Sequence, residues 1–263
     1  MGAIDIPLLH LAVLYGVLLL PLYLLKRLGL RLTGDILASV ARMTVQLFLV
    51  GIYLKYLFEW NSIWLNTLWV AVVSVIANLN VLRKAGLSRR LFWPSLMSIV
   101  VATLSTVALF LLILIEPQPL YDARYLIPLT GMLLGNSLSG NVIALERFFS
   151  TIRDKENEYL AYLLMGASVG EAITPYLRKA LGAALAPTIA TMATIGIVSL
   201  PGMMTGQILG GSFPLVAIKY QIMIMLGIFI SLVLALVMNL RLSLPFAFNA
   251  YGLLREEIFT RRR

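Results

Sequence analysis

The sequence predicts an all-α fold, a polytopic transmembrane helical bundle of about seven spans. Three observations predict it. Of 263 residues, 60% are hydrophobic and only 13% are charged, which is outside the range of water-soluble domains. The apolar residues gather into separate runs near the roughly 17–25 residues a helix needs to cross a bilayer. The basic residues gather in every second gap between those runs.

Taken in order, the runs are 6–25, 36–58, 64–82, 92–115, 126–146, 183–205 and 214–240. Met1 to Asp5 carries no Lys or Arg, so the first run lacks the basic front of a signal peptide and reads as a retained span. Basic clusters follow span one (Lys26, Arg27, Arg31) and span three (Arg83, Lys84, Arg89, Arg90). Others lie between spans five and six (Arg147, Arg153, Lys155, Arg178, Lys179) and after span seven (Arg241, Arg255, Arg261 to Arg263). Seventeen of the 21 Lys and Arg thus share one side. The positive-inside rule makes that side cytoplasmic, with the N-terminus outside and the C-terminus inside. Lys55, Arg124 and Lys219 lie near the other face. Trp60, Trp64, Tyr121 and Tyr125 sit at the outer boundary and Trp93 at the inner one, as interfacial anchors do.

The longest stretch outside the spans, about 147–182, is cytoplasmic. Tyr159, Leu160, Leu163, Leu164 and Ala167 form an apolar stripe at helical spacing. Thr174-Pro175 reads as an N-cap followed by proline at the first helical position. Ile173, Leu177, Ala180, Leu181 and Leu185 continue an apolar face. The expectation is an amphipathic helix pair joined by a glycine-rich bend at Gly166 to Gly170, lying between spans five and six. The whole of 1–263 then reads as a single transmembrane domain.

Polar residues within spans carry the functional interest, because charge is expensive at membrane depth. Arg42 lies about two turns into span two, with Gln46 one turn deeper on the same face. Span five holds Gly131, Gly135, Asn136, Ser137, Ser139, Gly140 and Asn141. Its Gly131-Met-Leu-Leu-Gly135 pattern suits close helix packing. Span six holds Thr188, Thr191, Thr194 and Ser199 beside Pro187 and Pro201, hydroxyls that suit repair of carbonyls freed by proline. Methionines such as Met192, Met203, Met204, Met223 and Met225 read first as apolar filler.

Several chemistries are excluded. With no Cys there are no disulfides or thiolate ligands, and one His, His10, makes no imidazole cluster. No acidic residue lies clearly inside the hydrocarbon, which argues against a carboxylate proton relay or sodium site. No Walker-type G-x-x-x-x-G-K-[ST] occurs, and no Ser/His/Asp set suggests an enzyme. The net charge of +9 follows from the cytoplasmic clusters, so no nucleic-acid partner is implied.

The residues of span two (Arg42, Gln46, Gly51, Leu54-Lys55-Tyr56), Gly131-Met132, Gly135-Asn136 and Leu164-Met165-Gly166-Ala167 resemble one family. So do Ser199-Leu200-Pro201-Gly202-Met203-Met204 and Ala217-Ile218-Lys219-Tyr220-Gln221-Ile222-Met223. That family is the FetB (YbbM)-type iron-export ABC transporter permeases, related to the plant aluminium-tolerance half-transporter membrane subunits. Nearly the whole chain is covered.

The resemblance implies a transport subunit, not an enzyme, in the bacterial cytoplasmic (inner) membrane. It implies a permease homodimer, in contact with membrane lipid, paired with a cytosolic ABC ATPase that holds ATP and Mg; this chain would bind no cofactor. Glu158, Ala161, Gly166, Ala167 and Ser168 resemble the coupling loop that inserts a short helix into the ATPase. The isoleucine and Leu-Pro that follow the glycine in that loop are not at the usual spacing here. Candidate pathway residues are Arg42, Gln46, Asn136, Asn141, Pro201, Met203 and Met204. Transition ions prefer imidazole, thiolate or carboxylate, so an interior of amides, hydroxyls and thioethers implies transient metal contact, or transport of a metal complex or another small polar solute. The competing reading is an ATP-independent secondary carrier or channel. The missing intramembrane acids and the long cytoplasmic segment count against it.

Overall fold

A computed structural model of the chain describes residues 6–30 and 32–260. Met1 to Asp5, Arg31 and Arg261 to Arg263, named above, lie outside the described residues.

The described residues are helical throughout their ordered elements, with three isolated β-bridges and no strand among them. Span one is two helices, α1 (Leu8–Val17) and α2 (Leu19–Arg27). The junction at Leu18 has a local cause: Pro21 has no amide hydrogen, and its ring crowds the carbonyl four residues earlier, at Val17. α3 (Thr33–Trp60), α4 (Ile63–Lys84) and α5 (Phe92–Leu109) follow, the last running into a π-helical turn at Phe110–Ile115. α6 (Ala123–Asp154) is 32 residues long. α7 (Glu156–Leu164) and α8 (Val169–Thr194) come next, then α9 (Gly202–Leu209) and α10 (Pro214–Ala247).

Six helical stretches among the described residues are long and apolar enough to cross a membrane: α1–α2, α3, α4, α5 with its π turn, α6 and α10. The seventh pass is the upper half of α8 followed by α9. Here the expected unbroken helix over 183–205 is corrected. α8 ends at Thr194, residues 195–201 are non-helical, and the helix resumes at Gly202. Pro201 explains the lower limit of α9, since proline biases the residue before it away from the helical region.

α5, α6 and α10 form the centre, with α4 packed on α5 and α6, and α8 on α6 and α10. Two tight approaches organise it. A Cβ at Gly140 would stand 2.6 Å from Leu232 Cδ1 and 3.5 Å from the Ala184 carbonyl oxygen, and one at Gly227 would fall within the Phe110 ring. Within the one chain, Gly131 and Gly135 are not the points of close helix approach. A Cβ at Gly131 would meet only Trp69, at 3.9 Å, and one at Gly135 nothing within 4 Å.

α1–α3 stand apart. α3 buries only Leu57, which packs with Ala123 and Ile127 near the outer end of α6. The chain after α10 behaves differently, forming a strap across the cytoplasmic end. Thr260 N donates to Gly86 O (2.9 Å) and Ser88 N to Ile258 O (2.7 Å). Arg153 stacks on Phe259 at 4.2 Å, and Arg90 pairs with Glu257. Ile258 is fully buried beneath it.

Candidate functional site

Two regions concern function: the cytoplasmic elbow between α6 and α8, and the polar residues at membrane depth.

α7 does not pair with a separate second helix. The expected N-cap at Thr174 is corrected: Ser168 caps α8, and Pro175 lies inside the helix. The reason is a complete capping box, a stronger start signal than a lone Thr-Pro. Glu171 N donates to Ser168 Oγ (3.4 Å), while Ser168 N and Oγ donate to Glu171 Oε2 at 2.8 and 2.7 Å. The Ser168 hydroxyl and backbone hydrogen bonds hold the Glu171 carboxyl below its ordinary range. The lower part of α8 is thus one helix with the part above it.

Gly166 makes the turn between α7 and α8 with φ +91°, a conformation that carries a steric cost for any residue with a Cβ. Ala167 N closes the turn on Tyr162 O at 3.1 Å. Glu158 and Ala161 are exposed on α7, and Ala167 packs partly into the core. Lys155 Nζ donates to Glu158 Oε2 at 2.8 Å, which raises the lysine above its usual value and lowers the glutamate. Behind them Tyr159 is buried and donates to Gly252 O at 2.7 Å. Burial, with Glu158 next, pushes the Tyr176 hydroxyl up to about 12. Ile173 and Ala180 are buried and Leu177, Leu181 and Leu185 pack against the core, as their spacing predicts. Leu164, placed on the inner stripe above, is 88% exposed, because the chain leaves helix α7 at that residue.

The elbow also clears the bilayer. The Gly140–Ala184 approach puts those residues at one depth. Six residues below it come Glu146 on α6 and Arg178 on α8, charged positions that mark the inner interface. From Glu146 to Asp154 and from Arg178 to Val169 each helix descends about 12–14 Å at about 1.5 Å per residue. The headgroup layer on each side is only about 5–8 Å deep.

The seven pathway candidates fall in three places. Arg42 and Gln46 are exposed on α3, well away from the central trio. Asn136 is exposed on α6 and donates to its own helix at Met132 O (2.8 Å), whereas Asn141, five residues on, points into the core. Pro201, Met203 and Met204 are half-buried at the outer end, Met203 against the cluster around Phe110 and Ile224.

Asn141 belongs to a clasp for which the sequence reading named no partner. Its Nδ2 donates to Ser137 O (2.9 Å). Asn239 Nδ2 donates both to Asn141 Oδ1 and to Ser95 Oγ, each at 3.1 Å. All three residues are buried, so α5, α6 and α10 are joined at one point. Asn239 carried a usable signal: an amide in an otherwise apolar run. The hydroxyls of Thr191 and Thr194 bond carbonyls of their own helix, at Pro187 and Ala190, each at 3.0 Å. Neither reaches the carbonyl that Pro187 frees, at Ala183.

Along α6 an exposed stripe of Gly135, Asn136, Ser139 and Glu146 runs opposite the clasp. A cleft of about 290 Å³ between α4 and α6 is lined by Asn80, Lys84 and Ser139. Among the described residues no group of three or more His, Cys, Asp or Glu side chains could hold a metal ion. The donors present are amides, hydroxyls and thioethers.

The profile of Uncharacterised protein family UPF0014 matches residues 8–248. The chain is 38% identical over 211 residues to the UPF0014 membrane protein slr1647 of Synechocystis sp., covering 80% of this chain and 82% of that one. It is 33% identical to the protein ALUMINUM SENSITIVE 3 of Arabidopsis thaliana, over 80% of this chain and 76% of the relative. It is also 33% identical to the probable iron export permease protein FetB of Escherichia coli, over 74% of each. No solved structure matches.

Proposed function

The chain belongs to the UPF0014 family of integral membrane proteins, and from that membership we propose that it is the permease subunit of an ABC transporter. A separate cytosolic ATPase supplies ATP and Mg, and the cargo is iron or a related metal species carried outward. The likeness to a probable iron export permease supports the cargo.

One observation carries the coupling half of this reading: the α7–α8 elbow lies below Glu146 and Arg178, and α8 runs from it without a break toward the membrane end of the helix. A push on Gly166, Ala167 and Ser168 travels up α8 because the capping box leaves no loose joint at its start. Glu158 and Ala161 line the exposed side of the same elbow. With no Walker sequence in the chain, the push must come from another subunit.

The permease works as a pair. Arg42, Gln46, Asn136 and Ser139 are exposed at membrane depth, where lipid offers polar groups no partners. A second copy closing over α3 and the α6 stripe supplies them and encloses a pathway between the two chains. Pro201, Met203 and Met204 sit at its outer end. Cargo meets amide, hydroxyl and thioether groups and binds weakly enough to leave, which suits export.

Affinity purification of the tagged chain from native membranes tests the partner: a Walker-containing ATPase is expected in near-equal amount, and its absence overturns the ABC reading. Cells lacking the chain should accumulate iron and tolerate excess iron poorly. Unchanged tolerance assigns another cargo.

A further inference from the structure

Three large apolar side chains stand nearly bare at the cytoplasmic tip: Leu164 (88% exposed), Met165 (74%) and Tyr251 (85%). The first two end α7; the third lies almost ninety residues later, in the turn after α10. The structure puts the two segments side by side. A Cβ at Gly252 would stand 2.9 Å from Val169 Cγ2 and 3.4 Å from Leu163 Cδ1. The Gly252 carbonyl takes the Tyr159 hydrogen bond at 2.7 Å. Asn249 Oδ1 accepts from Tyr251 N and Leu253 N, each at 2.9 Å, so the turn that presents Tyr251 is itself braced. Gly252 has φ +76°, and with Val169 so close a side chain there would part the two segments.

We propose that Tyr251 and the turn around it form the second half of the ATPase seat, completing a bipartite apolar knob with Leu164 and Met165. The proposal rests on the ABC reading above and adds to it a contact outside the α7–α8 elbow. Lipid does not cover the knob, because the elbow descends about 12–14 Å below the inner interface and the headgroups occupy only about 5–8 Å of that. Apolar side chains grouped in water mark an interaction surface, and continuity with the elbow assigns it to the same partner.

The bipartite seat has a mechanical consequence. A push on Leu164 and Met165 enters through α7 and α8. A push on Tyr251 enters the strap, which is hydrogen-bonded to Gly86 and Ser88 at the α4–α5 turn. The stroke then reaches α4 and α5 as well as α8, and the Tyr159–Gly252 bond keeps both inputs in step.

The test places a benzophenone photocrosslinker at Met165, at Tyr251 or, as control, at Tyr23 of the full chain in growing cells. Adducts are identified by mass and by Walker-containing peptides. The same ATPase is expected from both Met165 and Tyr251, at least tenfold over Tyr23. Capture at Met165 with only lipid, a second copy or nothing at Tyr251 overturns this proposal and leaves the elbow assignment standing. No ATPase at either position overturns both. Tyr251→Asp provides a second readout: at least a fivefold fall in ATPase co-purification is expected with unchanged thermal unfolding. Unchanged co-purification, or a fall matched by lost thermal stability, overturns it.

Discussion

The ring of Phe110 occupies the space where a side chain at position 227 would begin. A Cβ on Gly227 would lie 2.9 and 3.0 Å from two of its ring carbons and closer still to its tip. This contact locks the outer half of α5 to α10, as the Asn239 clasp locks their inner halves. Gly227→Ala should therefore destabilise the chain by about 1–3 kcal/mol through overpacking. Adding Phe110→Leu should recover part of that loss. Thermal unfolding of the four proteins in detergent, read as a double-mutant cycle, measures the coupling. Additive losses would mean the two residues are not in contact.

Asn239→Leu removes the donor shared by Asn141 and Ser95. Interhelical hydrogen bonds in membrane proteins contribute about 0.6 kcal/mol on average and up to about 1.7. Because Asn239 bonds two helices at once, the upper end is expected. The loss is to be read as lowered unfolding temperature, with α5 and α6 amides near Ser95 and Asn141 exchanging faster.

Asn136→Leu should leave folding almost untouched, since its side chain is exposed and bonds only its own helix. Export should nevertheless fall, seen as raised cellular iron in cells challenged with iron. Asn141→Leu should show the opposite pattern, losing stability first. If Asn136→Leu exports normally, the α6 stripe is not part of the pathway.

Gly166→Val meets no neighbour within 4 Å of its Cβ, so its cost is conformational. Holding a β-branched residue at φ +91° costs on the order of 1–3 kcal/mol. The expected result is a disordered α7–α8 turn, with weakened ATPase association and a membrane body that still melts normally. Gly166→Asn should be milder, because Asn tolerates positive φ.

The capping box should respond to acid in a predictable direction. The Glu171 carboxyl is held below its ordinary value of 4.5 by Ser168. A depressed acid contributes stability that is present above the unfolded value and lost as pH falls through the folded one. Amide protection at the first turn of α8, referenced to an unstructured peptide at each pH, should persist below pH 4.5. In Ser168→Ala, protection should fail at higher pH. Identical pH profiles would exclude the box as the start of α8.

Much of the fold was legible in the residues alone, for an identifiable reason. A bilayer imposes a length and a hydropathy on any helix that crosses it, so α3, α4, α5, α6 and α10 appear as runs, and the charge bias orients them. Proline and glycine were less informative. Pro175 and Pro187 sit inside α8 without ending it, while Pro201 lies at a real break, and nothing local to Pro187 distinguishes the two cases. Gly131-xxx-Gly135 has the small-residue spacing, yet the close approaches occur at Gly140 and Gly227, because contact depends on which face a neighbouring helix takes.

For the candidate site the division is similar. The sequence alone determined a polytopic membrane chain, its helical content, the charged cytoplasmic segment and the lack of a Walker motif or a Cys or His cluster. These follow from composition and local spacing. Only the tertiary structure decided that Asn141 faces the core while Asn136 does not, that Asn239 holds three helices and that Gly252 packs against Leu163 and Val169. Each depends on residues far apart in the chain. Such contacts are set by how whole helices pack, a property that no local window of residues contains.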